Sequence, residues 1–483
     1  MENIKNLEPR QVFSIFDQIT RIPRPSKHEE QFRAFLRTWA EEHKLAFKED
    51  EKGNIVILKP ATAGYESKGA IALQSHMDMV CEKDASSPHD FMKDPIDTYL
   101  DNGWLRARGT TLGADCGIGM ALQMAVLAAN DLAHPAIEAL FTVDEEQGLT
   151  GAMALGADML TAKRMINLDS EDEGQIYIGC AGGVDTIATF ELETEKAPHK
   201  DYTYFTLSID SLTGGHSGDD IEKGFANANK LLARFLWEFL SYEGVVVASI
   251  EGGNLRNAIA REAHAVVGVP DEFVDEITAE FHSLAAAMAG EYSVTERNMN
   301  LRFDLFADEV REVMDDEFAN VLVAALVAVP HGVQAMSQQI KGLVETSTNL
   351  ASIRMTADSV IVVTSQRSSV ESSKHAIASM VESVFLLADA TVEHTDGYPG
   401  WAPNPSSPLV ESAGALYAQM YGVPAQIKAI HAGLECGLFL TKYSELDMIS
   451  MGPTLRGVHS PSERLEVSTV GKVWEYLVKL LAL

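Results

Sequence analysis

The sequence predicts an α/β protein: a main domain with a mixed, largely parallel sheet flanked by helices, interrupted by an inserted α/β domain. Three observations predict it. Short apolar runs alternate with segments of helical spacing as far as Leu168. The character of the text changes around the polar stretch Lys196–Asp201. A segment rich in Pro and Gly, Gly397–Pro405, marks a re-entry. The boundaries that follow are 1–185 and 398–483 for the main domain and 186–397 for the insertion. A chain of 483 residues suits two or three domains at about 150 residues each.

Val12, Ile15, Phe16 and Ile19 have the spacing of an amphipathic helix, and Phe32, Phe35, Leu36 and Trp39 repeat it. Ser26 and Glu29 are spaced as a capping box before the second helix. Asn54–Leu58 and Ala70–Gln74 read as strands, Gly117–Ala129 as a helix, and Ile137–Val143 and Met165–Leu168 as strands. Strands alternating with helices favour a parallel, buried sheet. In the insertion, Thr203–Ile209 alternates as a half-buried strand, while Phe225, Ala228, Leu232, Phe235 and Phe239 mark a helix face. Val245–Ile250 and Ala263–Val269 are strand-like; Phe273, Ile277, Phe281 and Leu284 mark another helix. Ser359–Thr364 reads as a strand before the helix Val370–Leu387, and a last helix, Val470–Leu483, closes the chain.

Hydrophobic residues make up 46% and charged residues 22%, the balance of a globular protein. The 70 Asp+Glu outweigh 38 Lys+Arg, a net charge of −32. Such a surface repels phosphate backbones and anionic lipid, so neither nucleic acid nor membrane is an expected partner. No apolar run reaches the roughly 18–20 residues that span a bilayer. Met1–Lys5 lacks the apolar core of a signal peptide. Cys81, Cys116, Cys180 and Cys436 form no paired motif. A cytoplasmic protein with free thiols is expected.

The chemistry collects at strand ends. Ala70–Gln74 runs into Ser75-His76-Met77-Asp78, Ile137–Val143 into Asp144-Glu145-Glu146, and Met165–Leu168 into Asp169. Sites in open α/β sheets form beyond the carboxyl ends of strands. Between the first two strands lies Leu112-Gly113-Ala114-Asp115-Cys116-Gly117, whose glycines allow a tight turn. His76 and Asp78, two apart on an extended chain, point the same way. His76 can therefore ligate a metal while Asp78 fixes its ring tautomer. Of the adjacent Glu145 and Glu146, one can ligate and the other can move a proton. Each fragment is common alone; together they indicate a metal site. His331, like the other histidines outside these motifs, reads as a surface or internally satisfied residue, and Cys116 as space-filling.

Ser-His-Met-Asp-Met (75–79), Gly-Ala-Asp-Cys-Gly-Ile-Gly (113–119), Thr-Val-Asp-Glu-Glu-Gln-Gly (142–148) and Asn-Leu-Asp-Ser-Glu (167–171) resemble the co-catalytic zinc peptidases of the aminoacylase/carboxypeptidase-G family. The long insertion, Gly-Cys-Ala-Gly-Gly (179–183) and the 452–461 segment are most similar to its histidine-preferring dipeptidase branch. The resemblance implies two zinc ions, with manganese or cobalt as substitutes. His76 and Asp169 would bind one, Glu146 and His459 the other, and Asp115 both. It makes Glu145 the general base, Asp78 the partner that holds His76 from behind, and the insertion a lid. His216, in Thr213–Asp219, would stabilise the oxyanion; Asn257 and Arg367 would bind the peptide and its terminal carboxylate. Glu435 would meet the substrate's amino end or serve packing. The expected substrate is a dipeptide, those ending in His included, and the expected assembly a homodimer. Two alternatives stand beside this reading: an N-acyl amino acid amidohydrolase or broader peptidase on the same metals, and a non-catalytic, metal-stabilised peptide-binding protein.

Overall fold

The computed structural model describes residues 4–483, so the signal-free start read from Met1–Lys5 lies partly outside the described residues. The chain divides into two compact units. One runs to Cys180 and resumes as Trp401–Ala429 and Leu434–Leu483; the other takes Ala181–Gly400 and Ile430–Gly433.

The first unit is built on an eight-stranded sheet. Its four central strands, in spatial order Ile137–Thr142, Ile71–His76, Arg164–Asn167 and Asp447–Ser450, are parallel. Antiparallel strands, Ile55–Lys59 and Ala46–Glu49, extend one margin. Every residue of Ile71–His76 and Ile137–Thr142 is buried, the polar Gln74, Ser75, His76, Glu138 and Thr142 included, as suits strands covered on both faces. Helices Arg10–Ile19, Ala114–Ala128 and Val467–Leu481 belong to this unit. In the second of these, Asp115 and Cys116 leave helical geometry, so the regular turns begin at Gly117. Among the described residues, no helix is long and apolar enough to cross a membrane.

The capping box does not form. Helix Glu30–Glu42 starts without a side-chain cap. Ser26 instead donates to Asp78 Oδ2 at 2.7 Å, and Glu29 accepts from the Lys27 and Asp144 N–H groups. A buried carboxylate loses more by going without donors than an exposed helix start does, so Asp78 takes the hydroxyl.

The second unit carries a nine-stranded sheet whose neighbouring strands all pair antiparallel. In strand Tyr202–Asp210 the alternation buries Phe205, Leu207 and Ile209. Helices Ala228–Phe239, Val274–Glu291, Asp316–Ala328 and Glu371–Leu387 complete the unit. Its core centres on aromatic rings: Phe205 stacks on Phe303 with centroids 4.4 Å apart, and Phe235 on Phe281 at 5.3 Å.

His331 is internally satisfied, as expected: its Nδ1 accepts the Leu350 N–H at 3.3 Å. Burial, with Lys230 nearby, pushes this ring down to about 4, and burial does the same to His431. An unfolded imidazole titrates near 6.5, so in acid the unfolded chain binds protons that the folded unit refuses. Stability from these rings is complete above about pH 6.5 and is lost as pH falls toward about 4. The melting midpoint, followed by circular dichroism across this range, is expected to drop with acid, and His331→Gln is expected to shrink that drop.

Candidate functional site

Parallel neighbours present the first three ligand loops together. His76 pairs with Thr142, and Gln74 with Asn167, so His76, the Glu145–Glu146 loop and Asp169 all lie at the same strand ends. His459 arrives by another route. Leu455–Arg456 and Arg464–Glu466 form a hairpin with His459 in its loop. The second arm pairs with strand Trp104–Ala107, the strand that leads into the Asp115 loop.

These elements bring all five expected ligands to one place. Asp115 Oδ1 lies 3.1 Å from His76 Nε2, and Asp115 Oδ2 lies 3.2 Å from His459 Nε2. Asp169 Oδ1 stands 3.3 Å from His76 Nε2, and Glu146 Oε2 stands 3.1 Å from His459 Nε2. The result is two imidazole–carboxylate clusters sharing one aspartate. Asp78 Oδ1 faces His76 Nδ1 at 3.3 Å, on the side of the ring away from Asp115. Asp78 also accepts the N–H groups of Glu145 and Glu146, at 3.0 and 3.2 Å.

Electrostatics show what the cluster lacks. Burial pushes Glu145 well above the carboxylate range, with Asp169, Glu146 and Glu435 adding to it. Burial raises Glu146 and Asp169 as well. It pushes Glu171 and Glu435 up to about 8. Burial opposes charge on Asp115, but His459 and His76 hold it well below its ordinary value. Burial also opposes a proton on His76, yet Asp169, Asp115 and Asp78 raise that ring well above its ordinary value. Hydrogen bonds to Asp115 and Glu146 raise His459 to about 11. Negative charge is in excess, and among the described residues the imidazoles of His76 and His459 are the groups that answer it directly, with the Arg24 guanidinium behind the Asp78 and Asp115 loops. Glu146 Oε1 and Asp169 Oδ1 are buried without hydrogen-bond partners. Two imidazoles, three carboxylates and orphaned oxygens fit a pair of divalent cations, and the mixed N/O donor set suits zinc. Cys116 lies close to His76 and Asp169, but its thiol donates to the Leu168 carbonyl and burial keeps it protonated.

Glu435 is fully buried in the first unit, where Gln74 Nε2 and Thr142 Oγ1 donate to its Oε2 at 2.6 and 2.7 Å and Oε1 stays unpartnered. The other three expected substrate residues lie in the second unit. His216 is bridged to Ala258, and the Ser217 N–H donates to the Asn257 carbonyl, which joins their two loops; the Asn257 side chain is exposed. His216 Nδ1 accepts N–H groups from Gly218 and Asp219 at 3.3 and 3.2 Å, so a neutral ring carries its proton on Nε2. Arg367 is buried; Nη1 donates to Tyr398 Oη at 2.9 Å and Nε has no partner.

Sequence reasoning missed several supporting groups. His431 accepts or donates through Nε2 to Ser347 Oγ at 2.7 Å, and Ser347 is paired with Arg367 across the sheet. Arg24, 2% exposed, donates to the carbonyls of Met77, Asp78 and Gly113. Nothing in the local text marks Arg24, Ser347 or Tyr398. Glu171 was visible, two residues beyond Asp169.

The fold and the motifs define a peptidase-family scaffold, and the comparison of sequences agrees: this chain belongs to peptidase family M20/M25/M40, matched over residues 72–483. The resemblance read from the four motifs is thus confirmed. It is 41% identical over 481 residues, 100% of this chain and 99% of the relative, to the cytosol non-specific dipeptidase of Escherichia coli K12. It superposes on the crystal structure of aminoacylhistidine dipeptidase from Vibrio alginolyticus with a TM-score of 0.91 at 41% identity, covering 99% of this chain and 98% of that one. The fold alone is shared with the aminopeptidase PepT of Bacillus cereus, at a TM-score of 0.58 and 17% identity over 99% of this chain and 98% of that chain.

If Asp115, Glu146 and His459 form one cation site, His459→Ala removes its only nitrogen donor. Elemental analysis after zinc loading is expected to show bound metal falling from about two ions per chain toward about one; unchanged stoichiometry would reject His459 as a ligand.

Proposed function

We propose that this protein is a dinuclear zinc dipeptidase of the cytoplasm, acting as a homodimer on Xaa-His and related dipeptides. The observation that carries the reading is Asp115, with one oxygen toward His76 and the other toward His459, each imidazole also facing a second carboxylate. His76 and Asp169 would hold one ion and His459 and Glu146 the other, with Asp115 reaching both. When bound, such ions act as Lewis acids and make water more acidic at neutral pH.

The chain's own share is proton handling and orientation. Glu145 takes a proton from the attacking water and returns it to the leaving amine. Asp78 holds the His76 ring through Nδ1 and holds the Glu145 loop through backbone N–H groups. In the second unit, His216 offers Nε2–H to a developing oxyanion, and Asn257 contacts the peptide. Arg367, whose Nε has no protein partner, suits the terminal carboxylate of a short peptide. Glu435, with one free buried oxygen, is the residue assigned to the substrate's amino end. The two relatives at 41% identity, one named non-specific and one aminoacylhistidine, support dipeptides as the substrate class.

The test is hydrolysis by the zinc-loaded protein of Xaa-His dipeptides, other dipeptides, tripeptides and N-acyl amino acids. Dipeptides are expected to be cleaved and a chelator to stop it; activity confined to N-acyl amino acids, or none at all, would sink the proposal. Glu145→Gln is expected to lower kcat by about 10²–10⁴ while metal content stays unchanged. A near-normal rate would remove Glu145 from the base role.

A further inference from the structure

The loop that delivers Asp115 is gripped from both sides by buried charges of opposite sign. On one side stands Glu463, 2% exposed. Its Oε2 accepts the N–H groups of Leu112 and Gly113 at 2.7 and 3.0 Å, and its Oε1 accepts those of Ala114 and Asp115 at 2.8 and 3.3 Å. On the other side Arg24 donates to the Gly113 carbonyl. Gly113 has φ +68°, and a Cβ there would lie 2.6 Å from Arg24 Nη2 and 2.8 Å from Met79 Sδ. The positive φ and the close approach of Arg24 and Met79 both favour glycine at this turn.

Glu463 stands four residues after His459 in the same hairpin loop, directly before the arm Arg464–Glu466. One carboxylate thus ties the backbone of the Asp115 loop to the loop of His459. These are the two residues that must meet across 3.2 Å to share a cation. Burying a carboxylate is costly unless donors surround it, and four N–H groups at one rigid turn supply them.

We infer that Glu463 is a positioning residue that sets the spacing between Asp115 and His459 and so holds the shared cation site ready before metal arrives. The inference rests on the metal-centre reading above. It touches no substrate and acts only through the backbone of 112–115.

Zinc titration of the metal-free protein against a chromophoric chelator tests it, alongside the visible spectrum of the cobalt-loaded protein. The wild type is expected to take up two ions. Glu463→Gln, which replaces one accepting oxygen with an NH₂ group, is expected to weaken zinc binding about 10–100-fold and to change the cobalt spectrum. Glu463→Asp, which keeps the charge on a shorter arm, is expected to fall between the two and decides the matter if the Gln variant does not fold. Wild-type affinity and spectrum in the variants that fold would overturn the inference, even with a lowered melting point, since that result marks a purely structural role. Failure of the wild type to bind two ions would instead bring down the metal-centre reading, and the inference with it.

Discussion

Negative charge crowded away from water is the constraint on which the site rests. Two unit charges about 4 Å apart repel by about 4 kcal/mol at the effective dielectric typical of proteins. Asp115, Glu145, Glu146, Asp169 and Glu435 are all drawn into one another's field, and the imidazoles of His76 and His459 are what the fold sets directly among them. Carboxyls pushed up and imidazoles pushed up describe the same deficit from two sides. The architecture therefore stores a demand for positive charge that protons meet poorly and divalent cations meet well.

Holding such groups together takes a rigid frame, and the backbone supplies it. Three of the loops follow parallel strands whose registers are locked by fully buried side chains. The fourth and fifth come through a small sheet, where Arg464–Glu466 lies beside Trp104–Ala107 and so sets the His459 hairpin next to the Asp115 loop. Main-chain N–H groups do much of the work. Asp78 accepts from Glu145 and Glu146, and Glu463 from the whole of 112–115.

Strand ends were legible because periodicity and polarity change together there: Ile137–Val143 is mostly apolar, with Glu138 and Thr142 as its polar residues, and then three acids follow. The pairing of His76 with Asp78 was legible because alternation on an extended chain has a fixed period. His459 was not legible from its own surroundings, since its hairpin is placed by pairing with the distant strand Trp104–Ala107 and its loop carries ordinary turn residues; only likeness to a family supplied it. Ser26 and Glu29 misled because local spacing says nothing about a buried carboxylate fifty residues away that competes for the hydroxyl. The Ser347–His431 contact and the Arg367–Tyr398 contact were hidden for the same reason.

Asp78 joins stretches of chain that are otherwise unconnected in sequence: the Ser26 turn, the His76 strand and the Glu145–Glu146 loop all end on its two oxygens. A change at that position alters all three at once. Effects of paired replacements among 26, 76, 78 and 145 will therefore depart from the sum of the single ones. Drift during evolution at any of these positions is confined to joint moves, and a designer who wishes to reshape the Glu145 loop must treat the four as one inseparable unit.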